Sequence, residues 1–169
     1  YVLKEACRQL ECWMKEYPTA KKLTMSVNIS SPQLERENFF AGVRRALAQT
    51  GLSAQNINIE ITETSLIKNT QTSWQNLSKL REEGIKVSLD DFGTGYSSLS
   101  YLIKFPVDTL KIDRSFVSTL ESSIEVIRTI INLARTLGMV VVAEGVETAS
   151  QGLALKKLNC DMVQGYLYS

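Results

Sequence analysis

The chain has 169 residues, 44% of them hydrophobic and 22% charged, which provides for a sizeable core and excludes disorder along most of its length. Nineteen basic against eighteen acidic residues leave a net charge of +1, which excludes bulk electrostatic attraction to DNA, RNA or an anionic membrane. Histidine is absent, so no nucleophile system can rest on an imidazole.

Helical and strand patterns alternate along the chain. Residues 2–17 carry an apolar stripe, Leu3, Ala6, Cys7, Leu10, Trp13 and Met14, closed before Pro18, and predict a helix. Residues 24–29 alternate, with Met25, Val27 and Ile29 opposite Ser26 and Asn28. Residues 39–49 are helical. Residues 57–62 alternate again, with Ile57, Ile59 and Ile61 opposite Asn58, Glu60 and Thr62. A helix over 72–83 stops at Gly84. Residues 87–90 form a strand, followed by a glycine-rich stretch over 91–98. A short strand is expected over 110–112, a long helix over 123–137 stopped by Gly138, and a buried strand over 140–143. A helix over 149–158 and a last strand from 162 to 164 complete the series. Residues 120–125 read as the least structured connection. The first residue is Tyr1 and falls directly into a helical pattern, so two strands are expected to precede it.

Six strands separated by helical segments imply a parallel sheet with helices outside it. A doubly wound sheet and a barrel both fit this alternation. The polar residues favour the barrel: Asn28, Glu60, Asp90, Lys111, Glu144 and Gln164 each lie near the carboxyl end of a strand. In a barrel those ends form one rim, where active sites lie. Carboxylates gathered at one rim repel one another unless a cation shares them. Oxygen ligands without His or Cys select hard cations such as Mg²⁺ or Mn²⁺. Two such ions are the usual clamp for in-line attack on a phosphodiester. Cys7, Cys12 and Cys160 have neither zinc-ligand spacing nor the even count of a disulfide framework, so a reducing, cytoplasmic setting is expected. No apolar run is long enough to span a membrane, and no membrane contact is expected from this segment.

Six segments carry a more specific signal. They are Ser26-Val27-Asn28-Ile29-Ser30 with Gln33; Glu60-Ile61-Thr62-Glu63; the run from Asp90-Asp91-Phe92-Gly93 through Leu99; Leu110-Lys111-Ile112-Asp113; Ala143-Glu144-Gly145-Val146-Glu147-Thr148; and Gln164-Gly165-Tyr166. In this order they resemble the successive motifs of the EAL-domain family and cover nearly the whole chain. The resemblance implies an α/β fold, the (β/α)8 TIM-like barrel of EAL type, with six of its eight strands in residues 1–169. The signature Glu-Ala-Leu strand is expected upstream, with a further metal-ligand Glu and an Arg for the substrate phosphate. It also implies hydrolysis of cyclic di-GMP to linear pGpG with two Mg²⁺ or Mn²⁺ ions, in a homodimer. A degenerate domain that binds cyclic di-GMP or a protein partner without turnover is the alternative.

By the same resemblance Asn28, Glu60, Asp90, Asp91 and Glu144 match metal ligands, with Asp90 between the two ions. Lys111 matches the residue that positions or activates the attacking water. An ammonium among carboxylates stays charged, which favours electrostatic orientation over base catalysis. Glu144 and Gln164 match catalytic positions, Gln164 as a hydrogen-bonding residue on the site floor. Glu63 matches the anchor of the glycine-rich loop, and Glu147 and Asp113 are expected to stand behind the ligands.

Overall fold

The computed structural model describes residues 1–67, 71–95 and 99–168. In chain order the elements are α1 (Val2–Glu16), β1 (Met25–Asn28), α2 (Ser31–Leu34), α3 (Phe39–Thr50), β2 (Ile57–Thr62), α4 (Glu63–Ile67) and α5 (Gln71–Glu82). They continue with β3 (Lys86–Phe92), α6 (Leu99–Lys104), β4 (Thr109–Ile112), α7 (Arg114–Ser118), α8 (Leu120–Thr136), β5 (Val140–Ala143), α9 (Ala149–Lys157) and β6 (Met162–Val163). The six expected strands are all present. The chain divides into two compact units. One comprises Tyr1–Ile61 with Lys68–Val87, the other Thr62–Ile67 with Ser88–Ser169.

In the first unit β1 and β2 pair in parallel, with Val27 beside Ile59 and Asn28 beside Glu60. The period of two sends Ile57, Ile59 and Ile61 to the core, where each is almost fully buried. Leu77 and Leu80 of α5, Val43 of α3 and Leu10 of α1 are buried in the same unit. The buried Asn76 amide of α5 donates to the carbonyls of Leu34 (2.8 Å) and Arg36 (3.0 Å). It thereby satisfies the Leu34 carbonyl that the short α2 leaves free at its end, and joins the Phe39 amide on the Arg36 carbonyl.

In the second unit β3, β4, β5 and β6 follow one another as parallel neighbours. β5 reads Val-Val-Val-Ala, the continuous apolar run of a strand covered on both faces, and Val141 to Ala143 are buried. Ile127, Ile131 and Ala134 of α8 and Leu155 of α9 are buried with them.

Two expectations need correction. Residues 120–125 are the first turns of α8, not an open connection. The amides of Ser122 and Ser123 both donate to the Thr119 carbonyl at 3.0 Å, and the Ser122 hydroxyl folds back onto the same oxygen. No Gly or Pro interrupts the segment, and Glu121 suits the positive end of a helix. The third strand runs past Asp90 to Phe92, because a bulge between Leu89 and Phe92 lets pairing with β4 resume at Ile112. Of the glycine-rich stretch, residues 96–98 lie outside the described residues.

Candidate active site

The second unit gathers its chemistry at the carboxyl ends of β3, β4 and β5. In a regular strand Asp90 and Asp91 would point to opposite faces. The bulge and the left-handed backbone of Asp91 (φ +56°) break that rule. As a result Asp90, Asp91 and Glu144 each offer a carboxylate oxygen within 4.8 Å of the other two. Glu144 is the first residue past β5, and its amide donates to the Ile112 carbonyl at 3.1 Å. Lys111 is buried in β4, and its Nζ stands 3.0 Å from Asp90 Oδ1 and 2.7 Å from Glu144 Oε1. One ammonium against three carboxylates leaves the cluster negative. Burial, then the charges of Asp90 and Asp113, push the Asp91 carboxyl above the usual aspartate range against the opposing pull of Lys111 and Arg114.

The glycine-rich turn is tied down at its start. The Gly93 amide donates to Glu63 Oε2 at 2.8 Å, and Glu63 is only 1% exposed. Gly93 has φ +99°, and a Cβ there would stand 2.6 Å from the Phe116 ring, so the position favours glycine and any side chain must strain the backbone and displace the ring. A Cβ on Gly95 would meet the other carboxylate oxygen of Glu63 at 2.7 Å. The Thr94 hydroxyl closes the turn by donating to the Asp91 carbonyl at 2.8 Å.

Beside the acidic cluster lies a cavity of about 500 Å³, lined by Arg114, Glu144, Glu147, Gln164, Tyr166 and Tyr168 among others. Its walls are stitched through the backbone: Val146 donates to the Gln164 carbonyl at 3.0 Å, and Leu167 donates to the Val146 carbonyl at 3.0 Å. Gly165 packs so closely on the Val146 backbone that a Cβ would overlap both its nitrogen and its oxygen. Gln164 is exposed at the cavity edge, and Glu147 is exposed beside it. Asp113 caps α7, accepting the Ser115 amide at 3.0 Å. Arg114, Tyr166 and Tyr168 were not among the expected site residues. Arg114 is the second residue past the end of β4, at the strand end where rim residues gather, and that position is the signal for it.

In the first unit Asn28, the last residue of β1, pairs in register with Glu60, two residues before the end of β2. Glu60 is buried, and its Oε1 receives the Asn58 amide at 3.3 Å.

The EAL domain family model matches residues 1–169, the whole chain. The chain belongs to the EAL domain family. It is 42% identical over 172 residues to the cyclic di-GMP phosphodiesterase NbdA of Pseudomonas aeruginosa, covering 100% of this chain and 22% of that protein. It spans about a fifth to a quarter of the length of the curated relatives it matches. A solved structure of PaMucR phosphodiesterase in complex with c-di-GMP superposes with a TM-score of 0.90 at 38% identity, covering 98% of this chain and 68% of that one. A manganese and cy-diGMP complex of Klebsiella pneumoniae BlrP1 superposes at 0.85 with 28% identity, covering 98% and 43%. The barrel-type α/β fold expected from the strand ends is therefore the fold of this EAL domain, with six parallel strands in these residues.

The acidic cluster fits a divalent cation. Asp90 Oδ1 is fully buried without a well-formed hydrogen bond, its contact being the Lys111 ammonium. Burial first, then the charges of Asp90 and Asp113, raise the Asp91 carboxyl, and a cation shared by the cluster would oppose both. The donors are all oxygen, the set that hard cations prefer. No helix among the described residues is long and apolar enough to cross a membrane.

Proposed function

We propose that residues 1–169 form the larger part of a cytoplasmic cyclic di-GMP phosphodiesterase domain that hydrolyses its substrate to linear pGpG and works as a homodimer. The observation that carries this reading is the cluster of Asp90, Asp91 and Glu144 around the buried Lys111, in a chain of the EAL family. Asp90, Asp91 and Glu144 would hold Mg²⁺ or Mn²⁺, two ions by the family resemblance, which also implies Asn28 and Glu60 as ligands. Such ions supply water acidification and charge stabilisation in phosphodiester hydrolysis.

The chain's own residues do the positioning. Lys111, fixed between Asp90 and Glu144, holds its charge where water and phosphate meet, and it orients rather than deprotonates. Arg114 brings a guanidinium to the cavity beside the cluster, where it suits a phosphate or a guanine edge. Gln164 offers an amide at the cavity edge, and Glu63 keeps the turn bearing Asp91 in place through Gly93. Hydrolysis adds water across one phosphodiester bond. The water oxygen bonds to phosphorus, and the 3′ oxygen leaves with a proton.

The test is incubation of the full-length protein with cyclic di-GMP and Mg²⁺ or Mn²⁺, with the nucleotides resolved by chromatography and weighed by mass spectrometry. Release of pGpG is expected. Tight binding without pGpG would replace the enzyme reading with that of a receptor.

A further inference from the structure

Gln151 of α9 reaches three backbone groups from two different rim segments. Its Oε1 accepts the amides of Glu147 (2.8 Å) and Thr148 (3.0 Å), which follow Glu144 on the loop after β5. Its Nε2 donates to the Val117 carbonyl at 3.1 Å, near the end of α7. The orientation of the amide has no freedom. Two backbone N–H groups can be met only by the carbonyl oxygen, so the NH₂ must face Val117.

The first pair of bonds has an ordinary explanation. Thr148 and Gln151 form the reciprocal capping box of α9, with the Gln151 amide donating to Thr148 Oγ1 at 3.3 Å. The bond to Val117 has no part in that cap. It satisfies a carbonyl that the five-residue α7 leaves free, and it joins α7 to the loop after β5. The two segments also approach closely where Gly145, φ +71°, lies against Arg114, since a Cβ would stand 2.6 Å from the Arg114 Cβ. Arg114 opens α7, and Glu144 and Glu147 lie on the loop; all three line the same cavity. The Asp113 cap fixes one end of α7, and Gln151 fixes the other.

We infer that Gln151 is a positioning residue for the ligand cavity. Its Nε2 bond to Val117 sets where α7 presents Arg114 relative to the loop carrying Glu144 and Glu147. The inference rests on the functional reading above, since it needs a ligand in this cavity. Gln151 itself touches no ligand group. The binding contacts it organises act on substrate and transition state alike, so its loss raises KM and leaves kcat near the wild-type value.

Two variants separate this role from helix capping. Gln151→Glu keeps both accepted bonds, since glutamate serves equally at this position of a capping box. It removes the only donor toward Val117 and sets a carboxylate oxygen against a carbonyl. Gln151→Ala removes all three bonds. In the full-length protein, Gln151→Glu should lower the melting temperature by the one bond it loses, and by less than Gln151→Ala does. Its KM for cyclic di-GMP, and its Kd by calorimetry, should rise about three- to tenfold, the worth of a hydrogen bond between a misplaced Arg114 and the ligand. Gln151→Ala should lower the melting temperature and weaken the ligand at least as much. If Gln151→Glu matches wild type in KM and Kd, whatever its melting temperature, Gln151 serves the fold alone and the inference falls while the functional reading stands. If the wild-type protein neither binds nor cleaves cyclic di-GMP, both fall together.

Discussion

The turn after β3 and the loop after β5 both deliver carboxylates to Lys111, but they are held in opposite ways. The β3 turn relies on unusual backbone: a bulge, Asp91 at φ +56° and Gly93 at φ +99°. Its ties are the Glu63 carboxylate, the Thr94 hydroxyl and the Phe116 ring. The β5 loop is fastened through its backbone. Glu144, Val146, Glu147 and Thr148 each use their amide in a bond, and Val146 also accepts from Leu167. Each non-glycine residue in a left-handed conformation costs about 1–3 kcal/mol unless its surroundings hold it there. The β3 turn is therefore the part of the site that one side-chain deletion can release. The β5 loop is the part that needs its glycines.

The largest expected effect ignores this difference. Asp90→Asn and Glu144→Gln each remove a charged oxygen from the same cluster. Both should lower pGpG release by about a hundredfold or more, the upper end of what even an indirect partner of a metal costs. A variant with wild-type turnover would remove its carboxylate from the ligand set.

The next effect is one-sided. Glu63→Ala removes the carboxylate that holds Gly93 while leaving every cluster residue in place. Misplacement of reacting groups by about an ångström costs on the order of a hundredfold in rate. Turnover should fall toward that limit, whereas Gln151→Ala should raise KM and keep kcat near wild type, because the β5 loop keeps its other backbone bonds. Equal losses at the two positions would erase the contrast between the regions. Wild-type turnover and metal affinity in Glu63→Ala would end the anchor role.

This contrast also marks how far the sequence is legible. The strands are legible because the alternation at 25–29 and 57–61 obeys period two, and because β5 is an unbroken valine run. The strand-end acids are legible because each directly follows such a pattern. The bulge at Asp90–Asp91 is not, since period two sends neighbours to opposite faces and only pairing with β4 shows otherwise. The start of α8 is hidden for a related reason. Serine and threonine suit loops and first helical turns equally, and the choice between them rests on hydrogen bonds to Thr119. Gln151 lies in a plain helical stretch, and only the tertiary fold brings Val117 to its amide.

A third prediction compares the glycines. A Cβ at Gly165 overlaps the backbone of Val146, which cannot turn aside, whereas a Cβ at Gly93 meets the ring of Phe116, which can. Gly165→Ala should cost about 3 kcal/mol of stability, the upper range for forced overpacking. Gly93→Ala should cost about 1–2 kcal/mol, mostly backbone strain. Activity should order them the other way among molecules that remain folded, because Gly93 adjoins the turn of Asp91. Thermal melts and specific activities of both variants decide it. A Gly93→Ala protein less stable than Gly165→Ala would reverse the assignment of strain and packing to the two regions.

The smallest effect concerns charge at the start of α7. Burial raises the Asp113 carboxyl, but the Ser115 hydroxyl and amide, the Arg114 amide and the Arg114 charge outweigh it, and the net direction is down from the usual 3.8. A carboxyl lowered by folding stabilises the protein fully above its unfolded value. That contribution is lost as pH falls from there through the folded value. Asn is as good a helix cap as Asp, so Asp113→Asn keeps the accepted bond and removes only the charge. The variant should lose a few tenths of a kcal/mol near pH 6, a helix-terminus effect weakened by solvent screening. The difference should shrink as pH falls below the usual 3.8 and through the lowered folded value, and vanish once Asp113 is protonated in both states. Melting temperatures of both proteins across that range test the sign. A gap that stays constant through pH 3 would mean that Asp113 holds α7 by shape alone, and that its charge acts only on Asp91, where it adds to the repulsion in the β3 turn.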